Sequence, residues 1–166
     1  IMFTKNRAVN AAVHEIFEKR AAQKIYRAVC AVTGNKGNAQ RYRNLEKGSK
    51  FFVENNIGRI SPKSTRAKWG ELSTTHGGLY ARTEFTVLER CMIGGISTVK
   101  IEARPLTGRT HQIRVHLASV GLPILGDTLY GAPEYKRTML HAQSLTFPHP
   151  ISKNTMTVSA PLPDGF

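Results

Sequence analysis

Two arginines and two histidines cluster in residues 106–117, which read Leu-Thr-Gly-Arg-Thr-His-Gln-Ile-Arg-Val-His-Leu. A strand-like run enters this segment and a helix-like pattern leaves it. Backbone N–H groups at a helix start, the helix dipole and the guanidinium groups of Arg109 and Arg114 suit an anion such as a phosphate or a carboxylate. Alternatively, the two arginines only satisfy local carbonyl groups or Asp127. The residues alone leave both interpretations open.

Tyr26 is a second candidate, because it lies in the strand-like run Lys24–Val32, which would hold its ring rigidly. A plain core tyrosine is the alternative. The chain has six histidines, but they are scattered and lack zinc-type cysteine partners or a clear carboxylate ligand. No phosphate-binding P-loop or dinucleotide glycine pattern is present. We therefore predict no metal site.

The elements that must position these residues begin with a helix over Thr110–Val120. Thr110 is a plausible N-cap, and Gly121 followed by Pro123 is a plausible stop. On a helical period of 3.6 residues, Ile113, Leu117 and Val120 lie on one face, which we assign to the core. Arg114 falls on another stripe and is free to point into a site.

Helical spacing, turn residues and β-rich runs predict the other elements. Asn6 can cap an amphipathic helix over residues 8–21, and Gly94-Gly95 can close a hairpin in which Glu89 faces Lys100 and Leu88 faces Ile101. Residues 57–78 are mostly turn-like and basic. The predicted strands are the tail Ile1–Phe3, Lys24–Val32, Phe51–Val53, Tyr80–Met92, Ile96–Pro105, Met139–Phe147 and Thr155–Ala160. The pattern indicates an α+β fold with a largely antiparallel or mixed β-sheet flanked by helices.

The overall charge favours a polyanionic partner, most often nucleic acid. Lys and Arg number 24 against 11 acidic residues, a net charge of +13. Lys36, Arg41 and Arg43 lie in a basic loop, residues 33–50, which either clamps a nucleic-acid backbone or is a solvated insertion. The two cysteines form no disulfide framework, and no run approaches the ~20 apolar residues of a membrane span. We expect a single domain of 166 residues in a reducing compartment, cytoplasmic or organellar, without a membrane partner.

A family resemblance covers nearly the whole chain except the basic loop. Residues 104–117, with Gly121–Asp127 and Tyr130–Gly131, resemble the arginine motif of the RluA-type RNA pseudouridine synthases almost residue for residue. Lys24-Ile25-Tyr26 resembles the family's Lys-x-Tyr strand. Weaker matches continue through the hairpin strand at residues 81–85, the strand around residues 140–150 and the closing Ala160–Pro163.

This resemblance implies a pseudouridine synthase-like fold and the isomerisation of uridine to pseudouridine in ribosomal or transfer RNA, without a cofactor or metal. It implies that Tyr26 stacks on the base and is implicated in removing the proton from carbon 5. Arg114 would pair with the catalytic aspartate, and Arg109 and His111 would shape the turn or touch RNA. Asp127 matches a structural or positioning aspartate.

The family's nucleophilic aspartate, in a His-Arg-Leu-Asp segment, has no counterpart here. The only aspartates are Asp127 and Asp164, and neither lies in that context. We therefore expect residues 1–166 to be the C-terminal part of a catalytic domain, incomplete at its N-terminus, inactive alone and monomeric, with the missing segment or chain as a partner. Arg114 would then lack its anion. The alternative is a catalytically inactive relative that binds RNA.

Overall fold

The computed structural model describes residues 3–33, 42 and 44–166. Within this described part, the helices and strands follow one another as α1 (Asn10–Glu18), β1 (Gln23–Ala31), β2 (Lys50–Arg59), β3 (Trp69–Glu71), β4 (Leu79–Ile93), β5 (Ile96–Pro105), α2 (Gln112–Ser119), β6 (Leu140–Pro148) and β7 (Thr155–Ser159). Short 3-10 turns lie at Arg7–Val9, Thr74–His76 and Thr128–Tyr130. The predicted α+β class is confirmed.

The seven strands form one sheet in the order β3-β2-β4-β5-β1-β6-β7, and each described pairing is antiparallel. Alternation explains why β4 is a strand: Ala81, Thr83, Phe85 and Val87 are buried, while the residues between them are more exposed. The first strand, β1, pairs with β5 on one side and β6 on the other. The centre of the sheet is therefore built from segments that are distant in sequence.

The hairpin between β4 and β5 is confirmed, with Glu89 opposite Lys100 and 3.1 Å between Lys100 Nζ and Glu89 Oε2. The prediction that Leu88 faces Ile101 is wrong. Val87 takes that position, because a β-bulge lies between Val87 and Glu89 and leaves Leu88 without a partner across the hairpin. Counting residues outward from the two-residue loop gives a register without a bulge, so it cannot predict this extra residue.

Several predicted boundaries also shift. Asn6 does cap, accepting a hydrogen bond from the backbone N–H of Ala8, but the first turn is 3-10 and α1 ends at Glu18. The strand predicted at residues 51–53 is ten residues long, and the turn-like stretch that follows contains β3. Phe3 lies outside any strand and is exposed, whereas Ile1 and Met2 lie outside the described residues.

Helix α2 packs on one face of the sheet through the stripe that its sequence predicts. Ile113, Leu117 and Val120 are buried together with sheet residues that include Phe85 and Ile101. Helix α1 belongs to a separate, smaller cluster, in which Ile16 packs against Phe147 of β6. The two helices are thus anchored on different parts of the sheet.

A buried histidine links α2 to the sheet through neutral hydrogen bonds. His116 is fully buried, with its Nδ1 2.9 Å from the hydroxyl of Thr83 and its Nε2 3.1 Å from the Oδ1 of Asn55. These partners fit a neutral ring that accepts at Nδ1 and donates at Nε2. Burial lowers the pKa of His116 to about 4.

The free energy of unfolding should therefore fall in acid. Because the folded pKa of His116 lies below its unfolded value near 6.5, the stabilisation is complete above pH ~6.5 and is lost as the pH falls through about 4. The loss should reach about 3 kcal/mol. Chemical unfolding across this range should show a shallower pH dependence for His116→Gln than for wild type. The exposed His14→Gln variant is the control, and equal pH profiles for both variants would refute this role of His116.

Candidate active site

The turn that leads into α2 has an unusual start. Thr110 is not the N-cap as predicted: the helix begins at Gln112, and the preceding residue, His111, has a left-handed backbone with φ of 56°. His111 occupies the N-cap position, but its side chain makes no capping hydrogen bond to the helix. A positive φ is costly for a residue with a side chain and persists only where its surroundings impose it. Here the conformation accompanies a contact between the His111 ring and Tyr130, 2.9 Å from His111 Nδ1 to the phenolic oxygen.

Gln112 fixes this turn from inside. It is 4% exposed, and its Oε1 accepts hydrogen bonds from the Thr107 hydroxyl (2.7 Å) and the Arg109 backbone N–H (2.9 Å). Its Nε2 donates to the carbonyl of Arg82 and to the hydroxyl of Thr83, both at 2.9 Å. A primary amide has two acceptor sites and two N–H groups, so every one is used. The turn and the start of α2 are thereby tied to strand β4.

Arg114 is paired with a carboxylate of this chain. Its Nε lies 2.7 Å from Oδ2 of Asp127, and its Nη2 lies 2.7 Å from Oδ1, which makes a two-point ion pair. Asp127 is 2% exposed and Arg114 19% exposed. The expectation that Arg114 lacks its anion is therefore wrong, because the chain after α2 turns back and brings Asp127 beside it. The hydrogen bonds that Arg114 donates to the Asp127 carboxylate raise the pKa of Arg114.

Tyr130 closes the site beneath the guanidinium. The Arg114 Cζ lies 4.8 Å from the centroid of the Tyr130 ring, a cation–π distance. The backbone N–H of Trp69 donates to the Tyr130 oxygen at 3.1 Å, so the phenol can donate its own hydrogen to His111 Nδ1. Burial, followed by the nearby charge of Arg114, lowers the pKa of His111. The His111 ring is therefore neutral at pH 7.

Arg109 turns away from this cluster. Its Nε donates to the carbonyl oxygen of Tyr80 at 3.0 Å, on the strand that Gln112 also binds. Of the two interpretations left open by the sequence, the local one therefore describes the contacts of both arginines: Arg109 binds a backbone carbonyl, and Arg114 binds Asp127.

Tyr26 lies on β1, opposite Ala103 of β5, and packs against the central core. Its hydroxyl makes no hydrogen bond with another described residue, and burial raises its pKa. No hydrogen bond links Tyr26 with Arg114 in the described part of the chain. The other predicted RNA-binding residues, Lys36, Arg41 and Arg43, lie outside the described residues.

A cleft of about 1350 Å³ opens between α1 and the turn before α2. Lys24, Leu106, Gly108 and Arg109 are among the residues that line it. Burial lowers the pKa of Lys24. The cleft therefore combines apolar walls with basic groups and with the carboxylates of Glu18 and Glu84.

Three contributors to the site were not predicted from the sequence: Gln112, Tyr130 and Trp69. Gln112 and Tyr130 stand in the quoted motif, but only their three-dimensional partners reveal what they hold. Trp69 contributes through its backbone N–H, which no side-chain pattern reveals. Among residues 3–33, 42 and 44–166, no cluster of three or more His, Cys, Asp or Glu side chains could bind a metal ion, and no helix could span a membrane.

Known proteins resemble this chain both in sequence and in fold. The family model for RNA pseudouridylate synthase matches residues 1–119. The chain is 34% identical to the uncharacterized RNA pseudouridine synthase YhcT of Bacillus subtilis over 165 residues, which cover 98% of this chain and 48% of YhcT. The chain belongs to the RluA-type family of RNA pseudouridine synthases.

Other members of this family fit the same assignment. The dual-specificity RNA pseudouridine synthase RluA of Escherichia coli is 43% identical over 88 residues, which cover 51% of this chain and 39% of RluA. A human structure, RNA pseudouridylate synthase domain containing 1, superposes with a TM-score of 0.76 at 27% identity and covers 96% of this chain and 62% of that one. A second human structure, domain containing 4, has a TM-score of 0.68 at 23% identity, covers 96% of this chain and 65% of that one, and supports the fold alone. The chain spans about half or less of the length of the two bacterial relatives.

Substitution of two glycines of the family motif tests how tightly the segment around Asp127 is constrained. Gly126 and Gly131 both have positive φ, 80° and 82°, but only at Gly126 would an added methyl group clash, with the carbonyl oxygen of Arg137. Gly131→Ala should cost about 1 to 2 kcal/mol of unfolding free energy for the left-handed backbone alone. Gly126→Ala should cost at least about 2 kcal/mol more, since the backbone beside Asp127 must also shift. Denaturant unfolding of both variants measures the difference, and equal losses would show that the contact with Arg137 does not constrain this segment.

Proposed function

We propose that the protein isomerises uridine to pseudouridine in structured ribosomal or transfer RNA. The observation that carries the proposal is that the likeness to pseudouridine synthases extends over 98% of the chain and includes the segment that forms the Arg114 site. In this reaction the bond between N1 of uracil and C1′ of ribose breaks and the base turns. C5 then bonds to C1′, the C5 proton leaves, and N1 gains a proton. The overall change is an isomerisation that needs no external oxidant or reductant.

The geometry of Arg114 suits a role beside a second carboxylate. A guanidinium carries five N–H groups, and Asp127 engages one on Nε and one on Nη2. The Nη1 atom has no hydrogen-bond partner among the described residues, so the outer edge of the guanidinium can receive another carboxylate. Asp127 and the Tyr130 ring would hold the plane of Arg114 for that purpose. We propose that Asp127 is a positioning residue and Arg114 the group that faces the nucleophile.

We further propose that the nucleophilic aspartate comes from sequence that precedes Ile1. Asp127 is buried and committed to Arg114, and Asp164 lies in the C-terminal tail outside any helix or strand. On this proposal residues 1–166 are the C-terminal part of the catalytic domain, with residues 33–50 as a basic loop within it. The 166 residues alone would then be inactive. Codons for Arg-Leu-Asp before Ile1 in the gene support this, whereas pseudouridine formation by the 166-residue chain alone contradicts it.

Tyr26 is proposed to stack on the target uracil. Its half-buried ring lies on a central strand, which limits its motion. The phenol is protonated at neutral pH, and burial, which raises its pKa, keeps it so, and it can stack without a charge. To take up the C5 proton, the Tyr26 hydroxyl would first have to lose its own proton. Extrusion of the uridine from its stack would bring the base to this ring.

Replacing Arg114 should separate turnover from binding in the intact protein. Arg114→Ala should lower kcat by about 100-fold or more, because a charge aimed at the nucleophile is lost. RNA affinity should stay within about threefold, since many other cations contact phosphates. Single-turnover pseudouridine formation and filter binding measure the two quantities.

Two further variants guard against a folding artefact, because removal of Arg114 leaves Asp127 buried without a partner. The double variant Arg114→Gln with Asp127→Asn keeps neutral hydrogen-bonding groups at both positions. Arg90→Ala removes an arginine that donates to the Leu45 carbonyl on an exposed part of β4. Turnover near wild type in a folded Arg114 variant would show that Arg114 does not serve the reaction.

The basic loop supplies a separate prediction. Neutralising Lys36, Arg41 and Arg43 together should weaken RNA binding and flatten its dependence on salt, because each phosphate contact releases counterions. The slope of log Kd against log salt measures the effect. An unchanged slope would favour the solvated insertion over the clamp. Mapping pseudouridines in RNA from cells with and without the gene would identify the target uridine.

A further inference from the structure

A basic surface separate from residues 33–50 borders the candidate active site. We define it as the β2–β3 loop, residues 60–68, which reads Ile-Ser-Pro-Lys-Ser-Thr-Arg-Ala-Lys. Lys63 and Arg66 are exposed, and Lys68 is half-buried. None of these three cations forms an ion pair with a carboxylate among the described residues. The loop therefore presents positive charge that the described protein leaves uncompensated.

The shape of the β2–β3 loop is fixed although it is exposed. The last residue of β2, Arg59, donates from Nε to the carbonyl of Ser61 at 3.2 Å, and from Nη2 to the carbonyls of Pro62 (2.8 Å) and Thr65 (3.2 Å). The hydroxyl of Ser61 accepts from the Lys68 backbone N–H at 2.9 Å. The half-buried Arg59 thus stabilises the conformation of the loop from within. A braced loop loses less conformational entropy when it binds a partner.

The β2–β3 loop lies against the candidate active site. The residue that follows it, Trp69, donates its backbone N–H to the Tyr130 oxygen, and Lys68 Nζ lies 6.0 Å from the centroid of the Tyr130 ring. The charge of Arg66 also helps to lower the pKa of His111. A polyanion that reaches Arg114 would therefore pass close to Lys68 and Arg66.

We propose that Lys63, Arg66 and Lys68 clamp the RNA phosphates that flank the uridine presented to Arg114. This inference rests on the proposed function, because it takes RNA as the substrate of that site. Phosphates fit better than an acidic protein surface, since the loop offers long, exposed cations, and its one large apolar side chain, Ile60 at 48% exposed, is not an aromatic anchor of the kind that protein interfaces favour. The clamp would supply affinity and register, and Arg114 and Tyr26 would act on the base.

The test compares two variants of the full protein that each lose two positive charges. Lys63→Gln with Arg66→Gln removes the two exposed cations of the β2–β3 loop. Lys19→Gln with Lys153→Gln is the matched control: Lys19 follows α1, which packs on β6, and Lys153 lies in the turn between β6 and β7, at the opposite edge of the sheet. The probes are ribosomal and transfer RNA from cells that lack the gene. Filter binding between 50 mM and 200 mM salt gives Kd and its slope, and single-turnover pseudouridine formation gives the rate at saturating RNA.

The loop variant should bind on the order of tenfold more weakly at about 100 mM salt, with a slope reduced by about 1.4 to 1.8. Its rate at saturating RNA should stay within about twofold of wild type, because the clamp does not touch the reacting atoms. The control should keep the wild-type Kd and slope within about twofold. Equal losses in the two variants would overturn the clamp, since they would reflect net charge alone. Polyglutamate serves as a second probe, which stands for an acidic protein surface. A loop variant that loses affinity for polyglutamate but keeps its affinity for RNA would also overturn the proposed clamp.

The results distinguish failure of the proposed clamp from failure of the proposed function. If wild type makes pseudouridine and the loop variant binds like the control, the clamp fails and the proposed function stands. If wild type binds RNA with a slope that depends on the loop but makes no pseudouridine, the proposed function fails and the clamp stands.

Discussion

The geometry of the site depends on one buried side-chain amide. Gln112 joins the turn at Thr107 and Arg109 to strand β4 at Arg82 and Thr83, using all its hydrogen-bonding capacity. Because unsatisfied buried polar groups cost free energy, few other arrangements of these partners are as favourable. Thr83 in turn contacts His116, so the same network continues one helical turn further. The position of Arg114 between Gln112 and His116 is a consequence of this polar anchoring.

The ion pair between Arg114 and Asp127 builds on that anchor. Two side chains with little exposure meet at two points, and Tyr130 covers one face of the guanidinium. Pairs of this kind contribute little net stability, but their geometry is well defined because each partner would be costly without the other. What the pair provides is orientation: it presents the outer edge of Arg114 in one direction.

The sequence predicted the fold well where periodicity reports burial. The stripe of Ile113, Leu117 and Val120, the alternation along β4 and the double glycine of the hairpin each reflect a local rule, and the structure follows all three. It failed where the outcome depends on non-local partners. Thr110 looked like an N-cap, but Gln112 reaches back to the Arg109 backbone instead, and the bulge at Leu88 changes a register that turn length alone suggested.

The site divides in the same way. The family motif pointed to Arg114 and to the turn before α2, because their residue types are distinctive. The partnership with Asp127 could only be left open, since Asp127 comes thirteen positions after Arg114 and the chain between them can bring a carboxylate to the arginine or carry it away. The contributions of Tyr130 and Trp69 depend on how the 3-10 turn and β3 meet, which no pattern within either segment encodes.

The place of β1 in the sheet has a consequence for how the chain acquires its structure. This strand precedes both of its neighbours, β5 and β6, which start at Ile96 and Leu140. Its backbone groups and its apolar side chains cannot pair with them until those strands have been made. Folding dominated by such distant pairings is slow and leaves strand edges open to aggregation. The central core therefore closes only after β6 has been made, and protection of the nascent β1 by a chaperone would favour correct assembly.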